Sequence, residues 1–373
     1  MTGLPPPARI PLLVLGLAAL LTGVLAGLAR LGIAVPDFGA AQAGIHAALM
    51  ICAFFGTVIT LERAVALEGL WGYLGPAAAG FGGLLLILDA PHWVAQSLFV
   101  GAALILLLGS FQVMQRQFAL FTVTLALGAV CWLLGNLLWF VSADLQGAVP
   151  FWLGFLVLTI AGERLELTRF LPARAAAAPS FIAVTVLALA GMLFTPIEPE
   201  RGLQIFGAGL LALAIWLLVF DIARHNARQQ GLTRFIAVCL LSGYLWLALG
   251  GLAGLAGGFA AGDALHDTAM HAIALGFVFA MVFGHAPIIF PAVAKVNIPY
   301  HPFFYVPLAL LHASLALRVA GGVADSLALR QWGGLANTAT LAVFIATMLV
   351  SVIRGGRTPA RRRRGSNRGP GLD

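Results

Sequence analysis

Apolar residues run through this chain in stretches of about 20, long enough for a helix to cross a bilayer, separated by short clusters of Pro, Gly and charge. Twelve such stretches can be marked, at about 10–31, 43–65, 71–89, 93–115, 119–141, 148–170, 178–196, 203–223, 234–257, 267–291, 302–321 and 331–354. Pro91, Pro172, Pro196, Pro199, Pro299 and Pro302 fall between them, as residues that stop helices should. The pattern predicts an all-α membrane protein with twelve transmembrane helices. It forms a single transmembrane domain over 1–373, with no room for a soluble domain. The last residues, 355–373, are expected to be a basic, disordered, cytoplasmic tail.

Spans 2, 6 and 10 end alike, in FGTVITLERAVAL, LVLTIAGERLELTRF and FVFAMVFGHAPIIF. Aligning Glu62, Glu163 and His285 places the three helices four spans apart. This predicts three pseudo-symmetric four-helix units.

Composition agrees with the hydropathy. The 373 residues are 61% hydrophobic and 9% charged, where a soluble domain averages about 25% charged. Arg9 precedes a full-length span with no small-residue cleavage site after it, so no cleavable signal peptide is expected. The net charge of +7 does not point to nucleic acid. Much of it sits in Arg357, Arg361–Arg364 and Arg368, beside the last span, where it reads as an orientation signal next to anionic lipid. Arg63, Arg116, Arg164, Arg169, Arg174, Arg224, Arg228, Arg234 and Lys295 follow even-numbered spans. The opposite loops hold only Arg30, Arg201, Arg318 and Arg330, with most of the acids, Asp267 among them. The positive-inside rule then predicts a multi-pass membrane protein with both termini cytoplasmic. Cys52, Cys131 and Cys239 all lie in apolar runs without Cys-x-x-Cys spacing. That argues against covalent c-type haem and against a local thiolate metal site.

Ionisable groups inside spans mark sites by default. Span 10 carries His271 near its beginning and His285 near its end, about 21 Å apart along a helix and within about 40° of one face at α-helical spacing. His46 lies as early in span 2 as His271 does in span 10, and the two even-numbered spans run the same way. A six-coordinate haem iron accepts two neutral imidazoles from opposite sides, which two facing helices can supply. The bland alternative is that each ring satisfies itself with backbone or water. Small residues, Ala47, Ala48, Ala53 and Gly56 on span 2 and Ala272, Ala274, Gly276 and Ala280 on span 10, let a neighbour approach closely. At the other end Glu62, Glu163 and His285 share one level. With His312 of span 11 they form a candidate second site for copper or another divalent metal. The competing reading pairs Glu62 with Arg63, and Glu163 with its neighbouring arginines, as interfacial helix ends.

His46-Ala-Ala-Leu-Met50-Ile-Cys-Ala-Phe54 resembles the His-Ala-x-x-Met-x-x-x-Phe pattern in span 2 of the NnrS family. Met270-His271-Ala-Ile-Ala-Leu-Gly276, followed by Gly284-His285, resembles that family's His-Ala-Leu-x-x-Gly helix ending in Gly-His. Those are twelve-span bacterial inner-membrane proteins containing haem and copper and linked to nitric oxide stress. The arrangement is also similar to subunit I of haem–copper oxidases, which hold a low-spin haem by histidines of spans 2 and 10. Ala48 and Leu49 stand where NnrS proteins carry a second His and a Glu, and spans 6 and 7 hold no His for copper. The resemblance therefore implies a b-type haem on His46 and His271, and no binuclear centre. The implied function is electron transfer, redox sensing or nitric oxide defence, with the lipid bilayer and an electron donor or acceptor as partners. Two other readings use the same residues: a metal or haem transporter lined by His271, His285 and His312, and an assembly factor without cofactor.

Overall fold

The computed structural model describes residues 3–67, 69–169, 171–172 and 174–357. Every regular element among them is helical. A backbone in hydrocarbon must satisfy its own N–H and C=O groups, and a helix does so within one segment. Among the described residues eleven helices are long and apolar enough to cross a membrane, and the shorter apolar helix Trp71–Ile87 joins them. We number them α1 (Pro6–Arg30), α2 (Ala48–Ala66), α3 (Trp71–Ile87), α4 (His92–Arg116), α5 (Leu120–Ser142), α6 (Leu145–Thr168), α7 (Ala177–Phe194), α8 (Pro199–Phe220), α9 (Gly231–Gly258), α10 (His266–Ala294), α11 (Pro302–Val323) and α12 (Leu327–Arg357). A tight turn, Ala43–Ile45, leads into His46 and α2. The protein is thus an all-α, multi-span membrane protein. The expected spans match to within a few residues. The basic tail arginines Arg361–Arg364 and Arg368 lie outside the described residues. Residues 355–357, expected in that tail, continue α12.

Three helices form the centre. Along their most apolar stretch α2, α6 and α10 are 67%, 78% and 67% buried, while no other long helix exceeds 50%. They touch one another pairwise, and the remaining helices pack around them in sequence-adjacent pairs such as α4–α5, α8–α9 and α11–α12.

Within α2 the residues Ala48–Phe55 are wound as π-helix, and within α10 so are Ala272–Phe279. Each run of eight begins one or two residues after a histidine, His46 or His271. π-Helical turns are rare, occur mostly as single bulges, and gather at functional sites. Their wider winding also changes the phase of the helix. The shared face expected for His271 and His285 assumed uniform α-helix and does not carry through.

A cluster of packed rings crosses the centre at the ends of these runs. Phe54 and Phe55 have centroids 4.7 Å apart, and Phe279 lies 6.0 Å and 5.3 Å from them. The layer separates the end of the bundle bearing His46 and His271 from the end bearing Glu62, Glu163 and His285.

Candidate functional site

His46 is held from α1. Its Nδ1–H donates to the carbonyl of Gly23 at 2.7 Å. A carbonyl oxygen has two lone pairs, so it can take this bond beside its helical one. Because a carbonyl only accepts, Nδ1 must carry the proton, and the lone pair is left on Nε2. Gly23 and Gly27 form a small-x-x-x-small pair on α1 that admits the ring. A Cβ on Gly27 would stand 2.9 Å from His46 Cε1, and one on Gly23 would stand 2.7 Å from Met50 Sδ.

His271 reaches the same state by another route. Its Nδ1–H donates to the carbonyl of Asp267, one turn back, at 2.9 Å. The Asp267 carboxylate stands 3.2 Å from the same nitrogen. Arg318 of α11 grips that carboxylate with two bonds, Nε to Oδ2 at 2.8 Å and Nη2 to Oδ1 at 2.7 Å. Again the lone pair falls on Nε2.

The two rings have centroids 6.4 Å apart and planes inclined by 25°, wider than the 3.5–4.0 Å of direct contact. Imidazoles bound to opposite sides of one metal stand a little over 6 Å apart, counting two bonds of about 2 Å and about 1 Å from each nitrogen to its ring centre. Both rings line one cavity of about 410 Å³, within the range of ligand sites. Leu153 and Leu156 of α6 give it apolar walls, Phe55 and Phe279 lie at its base, and Arg30, Arg318 and Arg330 supply cationic groups. His266 also lines it, with a buried Nδ1 that has no partner.

The other end of the bundle is arranged differently. Arg63 donates to Glu163 at 2.6 Å, across α2 and α6. Arg164 turns inward to Asp221 at the end of α8, at 2.9 Å and 3.1 Å, with both side chains buried. Arg169 pairs with Glu166 at 3.5 Å. Glu62 is half-buried one residue before Arg63. His285 donates through Nδ1 to the carbonyl of Met281 in its own helix at 2.8 Å, so that nitrogen is satisfied within α10 and not by Glu62, Glu163 or His312.

His312 lies apart from them, in a pocket with α9. The Trp246 indole N–H donates to His312 Nδ1 at 2.9 Å, so Nε2 carries the proton and donates to Ser242 at 2.9 Å. Neither ring nitrogen keeps a free lone pair, which removes His312 from the candidate metal set in this arrangement. Among the described residues no group of three or more His, Cys, Asp or Glu gathers as a metal site. The cavity beside His46 and His271 is not lined by His285 or His312.

Several of these partners are not apparent from sequence spacing. Asp267 and Arg318, counted with the connections when the charges were assigned to sides, are inside α10 and α11. Arg318, within an expected span and seven residues before Asp325, is itself an ionisable group in a span, and so was a usable signal. Asp221, after an uninterrupted apolar run, was another. The Gly23 carbonyl and the two π-helical runs leave no comparable mark in the composition.

Residues 9–353 match the family model described as a domain of unknown function, DUF8744, and the chain belongs to that family. Neither the curated proteins nor the solved structures contain a match to it.

Proposed function

We propose that this protein is a b-type haem protein of a bacterial inner membrane, in which His46 and His271 hold the iron. The observation that carries the reading is the matched state of the two rings. Each spends its Nδ1 proton on a backbone carbonyl, each keeps an Nε2 lone pair, and their centroids lie 6.4 Å apart on one cavity. A ligating histidine almost always donates its other ring nitrogen in this way, fixing tautomer and orientation. Histidine pairs satisfied only for packing have no need of a shared cavity. The resemblance to NnrS proteins and to oxidase subunit I supports the same two residues.

Bound there, a haem would supply a one-electron iron couple. The chain's own part is positional. Gly23 and Asp267 orient the rings, Gly27 leaves space beside His46, and Leu153 and Leu156 exclude water. Arg30 and Arg330 are the groups suited to the haem carboxylates, Arg318 being taken up by Asp267. With the arginine-rich connections placed inside, the histidine end faces the outside of the membrane and both termini are cytoplasmic. Electron transfer, redox sensing or nitric oxide defence all use such a centre, and no second metal is required by the residues at the other end.

Oxidised and reduced absorption spectra of the purified protein test the proposal. A six-coordinate, low-spin haem spectrum is expected, lost in both His46→Ala and His271→Ala. A colourless protein that takes up no added haem would sink it.

A further inference from the structure

The two imidazoles share a tautomer but differ in what stands behind them. His46 has a neutral carbonyl at 2.7 Å. His271 has a carbonyl at 2.9 Å and also a carboxylate oxygen at 3.2 Å, and that carboxylate is gripped at two points by Arg318. Resting on the haem reading above, we infer that the Asp267–Arg318 pair sets the electron-donating strength of His271, and through it the reduction potential of the centre.

A charged pair inside a span is expensive. As a fastener between α10 and α11 it would be a poor choice, since apolar side chains of similar volume often do as well or better than a buried ion pair. At the level of this pair α12 packs closely on α11. Gly333 faces the Arg318 backbone so closely that a Cβ there would come within 2.6 Å of its Cα. Only 7% of Arg318 is exposed.

The geometry gives the pair a graded effect. A carboxylate at the outer nitrogen of a ligating imidazole draws on its N–H and raises the basicity of the ligand. A more basic ligand and a nearby negative charge both favour the oxidised iron and lower the potential. Arg318 opposes this, because the oxygen nearest His271, Oδ1, is the one that Nη2 binds at 2.7 Å. The arginine thus holds back part of the carboxylate's charge. Second-sphere hydrogen bonding and local charge are recognised controls on haem potential.

The test is a redox titration of the purified full-length protein, followed by its absorption bands. Asp267→Asn keeps the shape, removes the negative charge and leaves Arg318 unopposed, so the potential should rise. Arg318→Gln leaves the carboxylate unopposed beside His271, so the potential should fall. The double variant should return toward the wild type. A purely structural pair would not produce shifts of opposite sign. Shifts in the same direction, or none, in protein that keeps its low-spin spectrum overturn this inference and leave the haem assignment standing. If Asn and Gln variants lose the haem while Asp267→Glu and Arg318→Lys keep it at the wild-type potential, the pair is a fastener and the inference falls. A wild-type protein that takes up no haem overturns both.

Discussion

The two ends of the central three helices contain similar ingredients and use them differently. At the His46 end, protons on Nδ1 are given to backbone carbonyls, and two lone pairs remain on one cavity. At the Glu62 end the charged groups are consumed by one another, Arg63 by Glu163 and Arg164 by Asp221. His285 resembles His46 and His271 in its tautomer, but it does not line the cavity that those two share. The lesson is that an intramembrane histidine acquires ligand character from where its first proton goes and from what shares its cavity. Its presence in a span is only the beginning of the argument.

The comparison can be broken most directly by removing ligands. His271→Ala should abolish the low-spin spectrum, whereas His285→Ala and His312→Ala should leave it intact. Loss of the spectrum in His285→Ala would mean that the two ends are not separate. Next in size is Arg164→Ala, which leaves Asp221 buried without its partner. Breaking a buried pair costs about 3–5 kcal/mol, so thermal unfolding of detergent-solubilised protein should move sharply downward with an unchanged haem spectrum in what remains folded. Gly27→Val should push the His46 ring, which a Cβ would already meet at 2.9 Å. Disturbing support of this kind typically weakens metal binding by about 10–100-fold, measurable by haem titration. His312→Phe strands the Trp246 N–H, at a cost of about 1–3 kcal/mol for an unmet buried donor. Arg63→Ala should do least. Its pair with Glu163 is about a third exposed, and such pairs contribute about 0–1 kcal/mol. A larger loss there would show that the Glu62 end is more than a set of paired helix ends.

Much of the architecture is legible in the sequence because hydrocarbon imposes a single length scale on every helix. The short alignment of Glu62, Glu163 and His285 picks out spans 2, 6 and 10, and these are the three most buried of the long helices among the described residues. His46 and His271 stand out because imidazoles are uncommon in apolar runs. The support of each ring is less legible. Gly23 contributes a carbonyl, which every residue has. Asp267 finds Arg318 across 51 positions of sequence, and only the packing of α10 on α11 makes them neighbours. His312 looked equivalent to the other buried histidines. It differs because Trp246 and Ser242 use both of its nitrogens, and one-dimensional spacing carries no record of tautomers.

The position of the histidine pair near one end of the bundle has an electrical consequence. His46 directly follows the turn that opens α2, and His271 is the last residue of the six-residue α-helix that begins α10. Moving one elementary charge across the whole membrane against 100 mV involves about 2.3 kcal/mol. An electron exchanged with a partner on the near side would traverse only a small part of that drop. With the proposed haem on these residues, that transfer should therefore proceed almost unchanged whether the membrane is energised or collapsed.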